Sequence, residues 1–286
     1  MGELIQELNE FAAEIRLETL RIIASFGIGH IGGCMSIADA LAVLYGDVMN
    51  YDPADPKKKD RDWCVLSKGH AGPALYAALG LKGYFPVESA YHLNEFNSRF
   101  PSHTDRTLTP GVDLTTGSLG QGISEAAGAA LGNRLQGIDS YIYVFVGDGE
   151  ADEGEVWEAA QFAAHYKLDH LIALIDENGR QLDGTVEEVM SHGKGLHAKF
   201  EAFGWNVIEV ADGNNTAEIR EALLKAKQKS GSPTALILHT VKGKGVSIIE
   251  ASGVHSAKPN PEEWKIMLEE AERKLADVRS RKGGIK

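Results

Sequence analysis

The fold class of this chain is indicated by one stretch of its sequence, Tyr141-Ile142-Tyr143-Val144-Phe145-Val146-Gly147-Asp148-Gly149-Glu150. A run of apolar and aromatic residues, of the length of a buried strand, ends in a polar glycine-rich turn. The pattern recurs at 171–179, where Leu-Ile-Ala-Leu-Ile precedes Asp-Glu-Asn-Gly. Strands that are apolar on both faces are typical of parallel sheets, which bind ligands beyond the carboxyl ends of their strands. Both turns are therefore predicted to lie at one edge of a sheet.

Apolar runs alternate with helical periodicity along the rest of the chain, which predicts an α/β fold. We expect a doubly wound, mostly parallel sheet with helices on both faces, and one domain over 1–286. A loop is predicted at 27–33, and Ser36 with Asp39 predicts a capping-box-like helix start. Strands are predicted at 63–66, 140–146, 171–175, 205–210 and 234–240, and helices at 71–82, 121–135, 155–166, 196–203, 216–229 and 259–275, with a frayed end at 279–286.

Polar residues at the predicted strand ends indicate a ligand site. Asp148 offers a carboxylate and Asn178 an amide oxygen, the hard ligands that Mg²⁺ prefers. Gly147 and Gly149 let the backbone approach a diphosphate and leave N–H groups free to point at it. The chain is thus predicted to bind a divalent cation beside a diphosphate. Glycine-rich motifs follow four of the strands, at 67–70, 147–150, 176–179 and 241–245.

Composition limits the classes of partner and compartment. The formal net charge of −12 argues against nucleic acid or an anionic membrane as a main partner. No run approaches the ~18 apolar residues of a membrane span, and the N-terminus is typical of an amphipathic helix rather than a signal peptide. Cys34 and Cys64 lack metal-type or redox spacing, which suits a reducing compartment. We therefore expect a cytoplasmic protein.

Several strings together resemble the transketolase family of thiamine-diphosphate enzymes. They are Ser67-Lys68-Gly69-His70-Ala71, Thr109-Pro110-Gly111-Val112-Asp113, Thr116-Gly117-Ser118-Leu119-Gly120-Gln121-Gly122, Gly147-Asp148-Gly149 with Glu153-Gly154, Asp176 with Asn178, and Lys242-Gly243-Lys244-Gly245. The resemblance spans nearly the whole chain but covers the first of the family's three domains, the diphosphate-binding (PP-type) domain. It therefore implies the N-terminal subunit of a split transketolase, with the pyrimidine-binding and C-terminal domains on a partner chain.

The resemblance also implies roles for individual residues. Mg²⁺ would be held by Asp148, Asn178 and the backbone carbonyl of Arg180. The catalytic residues lining the substrate channel would be His30, His103 and His255. The cofactor-binding residues would be Lys68, His70 and Gly149 along the diphosphate, Gly117 and Leu119 at the aminopyrimidine, Glu150, Glu153, Asn178, Lys242 and His255, with Glu153 corresponding to a buried glutamate that couples sites across a subunit interface.

The implied reaction is transfer of a two-carbon ketol unit from a ketose phosphate to an aldose phosphate, as in the pentose phosphate pathway, with thiamine diphosphate and Mg²⁺. In the family a glutamate of the second domain activates the cofactor, and arginines that bind sugar phosphates lie mainly in the missing half. A C-terminal subunit would supply both, so we expect this chain to be inactive alone and to form an α2β2 heterotetramer.

Two loops depart from the family pattern. The family usually has Ser-Gly-His-Pro where this chain has Ile28-Gly29-His30-Ile31, and Gly-His-Pro where it has Ser102-His103-Thr104. Both loops have lost a proline that would fix φ, so acceptor specificity is expected to differ from that of the ordinary enzyme. Six further histidines are expected to be structural or solvated, namely His92, His165, His170, His192, His197 and His239.

Two other functions stay open at this point. One is the diphosphate-binding subunit of another thiamine enzyme, such as a 2-oxoacid dehydrogenase, against which the Ser-Lys-Gly-His-Ala string argues. The other is a non-catalytic paralogue that acts as a binding partner. The retained Asp148, Asn178 and Gly149 argue against this second alternative.

Overall fold

A single parallel sheet of five strands organises the protein, whose computed structural model describes residues 2–228 and 231–282. The strand order is β1-β2-β3-β5-β4, and every neighbouring pair is parallel. The predicted α/β class with a parallel sheet is therefore confirmed. The strands are β1 (Trp63–Leu66), β2 (Ile142–Gly147), β3 (Leu171–Glu177), β4 (Asn206–Val210) and β5 (Thr234–His239).

The strands form where the sequence is apolar on both faces. Successive side chains of a strand point to opposite faces, and those of β2 and β3 enter two separate cores. Tyr143 and Phe145 pack in one core, whereas Val144 and Val146 pack in the other. Because all six residues of β2 are buried, this strand lies in the interior of the sheet.

Helices cover both faces of the sheet. Residues of α5, α6 and α8 belong to one core, and those of α1, α3, α4, α9 and α11 to the other. The helices are α1 (Gly2–Phe26), α2 (Ile31–Met35), α3 (Ala38–Val43), α4 (Gly72–Leu81), α5 (Gln121–Leu135), α6 (Gly154–His165), α7 (Val186–Val189), α8 (Gly195–Ala202), α9 (Thr216–Ala226), α10 (Ser247–Ser252) and α11 (Pro261–Lys282).

The region after α1 differs from its prediction. Residues 31–33, expected in a loop, open the short helix α2. Ser36 does not cap α3: its hydroxyl donates to Asp176 Oδ2 at 2.8 Å, and Asp39 pairs with Arg16. The capping-box interpretation was wrong because both polar side chains have long-range partners that local spacing does not reveal.

One helical stretch, Ile31–Val48, is long and apolar enough to cross a membrane, contrary to the sequence-based expectation. In the structure 89% of this stretch is buried inside the protein. Its apolar residues, among them Met35, Leu41 and Leu44, pack in the core with α1 and α4. A helix in a protein core can be as long and as apolar as a membrane-spanning helix, so this stretch is interpreted as a core element.

The C-terminal helix is longer than the periodicity predicts. It was expected over 259–275 with a frayed end, yet α11 begins at Pro261 and continues to Lys282. Arg279 contacts both Glu10 and Glu14 of α1, so the later turns are docked rather than frayed. The helix predicted at 216–229 is shorter than expected, because it ends at Ala226 and a turn follows at 227–228. Residue 229 and the remaining part of the C-terminal prediction, 283–286, lie outside the described residues.

Candidate functional site

The loops that follow four of the strands, together with the segments at 30–33 and 103–119, line one cavity of about 300 Å³ at the carboxyl edge of the sheet. The register of the strands brings these loops together, because Gly147 of β2 pairs with Asp176 of β3, and Glu177 of β3 pairs with His239 of β5. The glycine-rich turns after these strands therefore lie side by side. The cavity is lined by His30, Gly33, Lys68, His70, His103, Gly117, Leu119, Gly147, Asp148, Gly149, Glu150, Asp176, Asn178, Arg180, Gln181, Leu182, Lys242 and His255.

A buried ion pair holds three of these loops together. The Lys68 ammonium donates to Asp176 Oδ2 at 2.6 Å and to the Gly33 carbonyl at 2.8 Å. Asp176 also accepts from the hydroxyls of Ser36 and Thr240. Its pKa is lowered, since the effect of burial, which alone would raise it, is outweighed by Lys68 and these donors. Lys68 is therefore neutralised within the protein.

Asp148 is a buried carboxylate whose hydrogen-bond partners are neutral donors. Its two oxygens accept from the amides of Gly149 at 2.8 Å and Gly179 at 2.6 Å, and the strongest charge acting on it is that of another carboxylate, Asp176. Burial, with Asp176 adding to the effect, raises the pKa of Asp148 to about 7. A carboxylate held this way is stabilised by a nearby cation.

The other expected metal ligands lie on the adjacent turn. Asn178 donates from Nδ2 to Asp176 Oδ2 at 3.0 Å, and its side-chain oxygen accepts from the Arg180 amide at 3.2 Å. The carbonyl of Arg180 accepts from the ammonium of Lys242 at 3.1 Å. Burial lowers the pKa of Lys242 to about 8. A cation from the protein itself thus lies at the carbonyl that was predicted to bind metal.

Glu150 is a buried cavity residue that holds three neighbouring segments together through hydrogen bonds. Its carboxylate accepts from the Ser67 hydroxyl at 2.5 Å and from the amides of Gly120 and Gly147, both at 2.9 Å. Burial raises the pKa of Glu150, and these donors oppose that rise. The residue connects the loops after β1 and β2 to the start of α5 (the helix that begins at Gln121), which fixes the positions of the glycines.

Four histidines from distant parts of the chain converge on the cavity lining, and we call this part of the cavity the histidine end. The ring centroids of His30 lie 5.2 Å from His70, 5.7 Å from His103 and 5.1 Å from His255, and His70 lies 4.8 Å from His255. The convergence depends on a backbone bridge between Gly29 and Ala257, which joins two segments far apart in sequence.

All four imidazoles favour the neutral form. Burial lowers the pKa of His30 and of His103, and burial together with Lys68 holds that of His70 well below its ordinary value. Burial and Lys242 lower the pKa of His255 to about 4. At neutral pH each ring can therefore both donate and accept a hydrogen bond, as recognition of sugar hydroxyls requires.

Other contacts replace the prolines that are usual in the family. Ile31, which follows His30, is fully buried and anchors its loop in the core. Thr104, which follows His103, is also buried, and its hydroxyl lies 2.7 Å from that of Thr116. Packing and a hydrogen bond thus position the two histidines where a fixed φ would otherwise do so.

The structure places every predicted site residue except Glu153 on the cavity lining. Glu153 is exposed on this single chain, because it follows a 3₁₀ turn that ends outside the cavity, and its expected role at a subunit interface stays a prediction. None of the six histidines predicted to be structural or solvated lines the cavity in the described chain.

Two lining residues carry contacts that the sequence reasoning did not assign. Asp176 was quoted in the family motif without a role, and its position at the end of an apolar strand was the available signal. Gln181 donates to Asp152 at 2.6 Å, and no local pattern in the sequence marked it.

Comparison with known proteins gives the family. Residues 8–271 match the family described as transketolase, thiamine diphosphate binding domain. The chain is 47% identical over 277 residues to the 6-deoxy-6-sulfo-D-fructose transketolase subunit SqwG of Clostridium sp. (strain MSTE9), covering 96% of this chain and 100% of that one. It is 37% identical to one of the named subunits of the apulose-4-phosphate transketolase of Phocaeicola vulgatus, covering 98% and 99%.

Solved structures agree with this result. The transketolase of Leishmania mexicana superposes with a TM-score of 0.84 at 30% identity, covering 97% of this chain and 46% of that one. The transketolase of Campylobacter jejuni gives 0.81 at 28% identity, covering 97% and 48%. This chain thus spans slightly less than half the length of these enzymes. It belongs to the transketolase family and corresponds to the family's thiamine-diphosphate-binding domain.

Proposed function

We propose that this chain is the cofactor-binding subunit of a two-chain transketolase. The observation that carries the proposal is its full-length match to two relatives that are themselves named as transketolase subunits. The family match favours this function over that of a 2-oxoacid dehydrogenase subunit. In the proposed reaction a two-carbon ketol unit passes from a ketose to an aldose.

The donor set of the cavity fits Mg²⁺ and a diphosphate. Asp148 is a buried carboxylate with a raised pKa, and a divalent cation would neutralise its negative charge. Asn178 and the carbonyl of Arg180 would complete the protein ligands, once Lys242 gives up that carbonyl. Residues 2–228 and 231–282 contain no cluster of three His, Cys, Asp or Glu side chains suited to a metal. Diphosphate oxygens would therefore supply the remaining ligands.

Bound thiamine diphosphate would supply the chemistry that breaks and forms carbon–carbon bonds. The chain's own residues would bind and orient the reactants. Lys242, freed from the carbonyl, would offset diphosphate charge, and Gly149 would bring an amide towards it. His30, His103 and His255 would hold sugar hydroxyls and exchange protons with them near neutral pH, because their neutral rings carry both a donor and an acceptor.

The proposal includes a second chain that carries the activating glutamate and further phosphate-binding groups, in an α2β2 heterotetramer within the cytoplasm. Support comes from the two relatives that are named as transketolase subunits and that this chain matches over 100% and 99% of their length. The buried free thiols of Cys34 and Cys64 suit a reducing compartment.

The substrates follow from the relatives as candidates. One relative is named for 6-deoxy-6-sulfo-D-fructose and another for apulose 4-phosphate. We therefore propose a donor ketose with an anionic terminal group and place the sulfonated sugar first, because that relative has the higher identity. The ordinary donor of the pentose phosphate pathway is the second candidate.

The test is a turnover assay with thiamine diphosphate and Mg²⁺ on this chain alone, and on this chain mixed with the transketolase C-terminal subunit encoded beside it. The donors are 6-deoxy-6-sulfofructose and xylulose 5-phosphate, each with an aldose phosphate acceptor. Activity confined to the mixture is expected. Activity of this chain alone would refute the need for a partner, and cofactor binding without turnover of any donor would favour the non-catalytic alternative.

A further inference from the structure

Three side-chain cations line the cavity, and two of them are already engaged. Lys68 is neutralised by Asp176 in a buried ion pair. Lys242 donates to the backbone carbonyls of Arg180 and Gln181 at 3.1 and 3.3 Å. Within residues 2–228 and 231–282, the guanidinium of Arg180 has neither a carboxylate within 4.0 Å nor a hydrogen-bond acceptor, and the Glu188 carboxylate, which its charge stabilises, lies farther away. The five donors of Arg180 are therefore free to take a ligand.

The Arg180 side chain packs against a glycine, Gly253. Gly253 has φ +60°, and a Cβ there would lie 2.4 Å from Arg180 Nε and 2.7 Å from Cζ. The Arg180 side chain therefore packs against the backbone of this buried residue, which is two positions before His255. The backbone carbonyl of Arg180 accepts from Lys242, whereas its side chain contacts Gly253, which lies close in sequence to His255 of the histidine end.

The ammonium groups of Lys68 and Lys242 that act on this end are engaged within the protein, and its histidines carry no fixed charge of their own. Burial disfavours the protonated form of His30, His103 and His255, so these rings add no fixed positive charge at neutral pH. An exposed guanidinium beside neutral donors and acceptors forms a site for a polyol that carries one strong anion. Planar N–H pairs of arginine match the oxygens of phosphate and sulfonate groups in a two-point contact.

We propose that Arg180 binds the anionic terminal group, phosphate or sulfonate, of the sugar substrate. This inference rests on the proposed function, and it gives this chain a determinant of substrate specificity that the family resemblance assigned mainly to the partner. The backbone carbonyl of Arg180 has a separate role as an expected metal ligand. A substitution of the side chain retains this carbonyl, and the calorimetric measurement of cofactor binding below checks the metal site separately.

The experiment compares Arg180→Gln with the wild type in the mixture with the C-terminal subunit. KM and kcat are measured for acceptor pairs that differ only in their terminal anion, ribose 5-phosphate against ribose, and for 6-deoxy-6-sulfofructose against fructose as donors. We expect KM for the anionic sugars to rise about 10- to 100-fold, the range for one lost charge-assisted contact, and KM for the neutral sugars and kcat to change little. Arg180→Lys should recover part of the loss.

The matched control is Arg273→Gln, which removes an exposed arginine of α11 that does not line the cavity and should change neither constant. Binding of thiamine diphosphate is measured separately by calorimetry. An equal effect on anionic and neutral sugars overturns the proposal, as does weaker cofactor binding with unchanged sugar KM, which would assign the guanidinium to the diphosphate. A response to phosphate alone or to sulfonate alone identifies which anion is bound.

Failure of the proposed function gives a different result from failure of this inference. If the wild-type mixture turns over no sugar, calorimetric binding of ribose 5-phosphate and of 6-deoxy-6-sulfofructose is compared between the wild type and Arg180→Gln. Binding that is lost in the variant supports Arg180 as the anion-binding residue although the reaction is not transketolase. Binding to both proteins with equal affinity, or to neither, overturns the inference.

Discussion

Replacing Asp176 by asparagine tests whether the buried ion pair holds the site together. Asp176 is fully buried, and Lys68 is 1% exposed. The substitution conserves shape but leaves the ammonium without a counter-charge, and it places an amide where the lysine, a hydroxyl and the Asn178 amide donate. Removing one partner of a buried pair costs about 3–5 kcal/mol, because the other charge remains desolvated.

The loss is large enough to measure by urea unfolding of the full chain, followed by circular dichroism. At an m value of about 3 kcal/mol/M, the midpoint should fall by about 1–1.7 M. Because the folded pKa of Asp176 is lowered, its stabilising effect is present above the unfolded value of about 3.9 and disappears as the pH falls through the folded value. The difference from the wild type should therefore shrink in acid.

The double variant Asp176→Asn with Lys68→Met tests whether the loss of stability comes from the interaction between these two side chains. Because it leaves no unpaired buried charge, the double variant should lose far less stability than the sum of the two single variants. Lys58→Met, at a partly exposed lysine that pairs with Asp60 at the surface, is the control and should behave as the wild type. Additive losses, or a loss below about 1 kcal/mol for the single Asp176 variant, would refute the role given to the ion pair.

Three further predictions concern the metal ligand, the histidines and the packing of α5. Asp148→Asn should weaken Mg²⁺-dependent binding of thiamine diphosphate by at least about 100-fold in calorimetry; unchanged affinity would contradict its role as a ligand. Since the pKa of His255 is lowered to about 4 in the folded chain, stability should fall between about pH 6.5 and 4, and the urea midpoint of His255→Gln should fall less steeply there. Gly122→Ala would place a Cβ 2.5 Å from the Ser67 Cα and should destabilise by about 1–3 kcal/mol, whereas Gly128→Ala, with open space around it, should stabilise by about 0.5–1 kcal/mol. Similar unfolding midpoints for the two alanine variants would show that the close approach of α5 to the Ser67 loop is not required.

Fold class and the principal site motifs were predictable from local patterns. A strand that is apolar on both faces usually belongs to a covered parallel sheet, so the strands predicted at 140–146 and 171–175 indicated both the sheet and the edge at which the site lies. The family strings added roles for His30, His103 and His255, and the structure brings these three rings together. Short motifs are informative here because a glycine-rich turn after a strand restricts both backbone path and ligand.

Contacts between distant segments could not be predicted in this way. Ser36 was assigned to a helix cap, yet it donates to a carboxylate 140 residues away. The fit of Arg180 against Gly253 and the hydrogen bond of Lys242 to a carbonyl 62 residues away have no local signal. Residue type and spacing determined which groups this chain brings to the carboxyl edge of its sheet. The tertiary structure was needed to show which charges neutralise each other there and that the Arg180 guanidinium remains free. The reason is that electrostatic pairing depends on distances across loops that are remote in sequence.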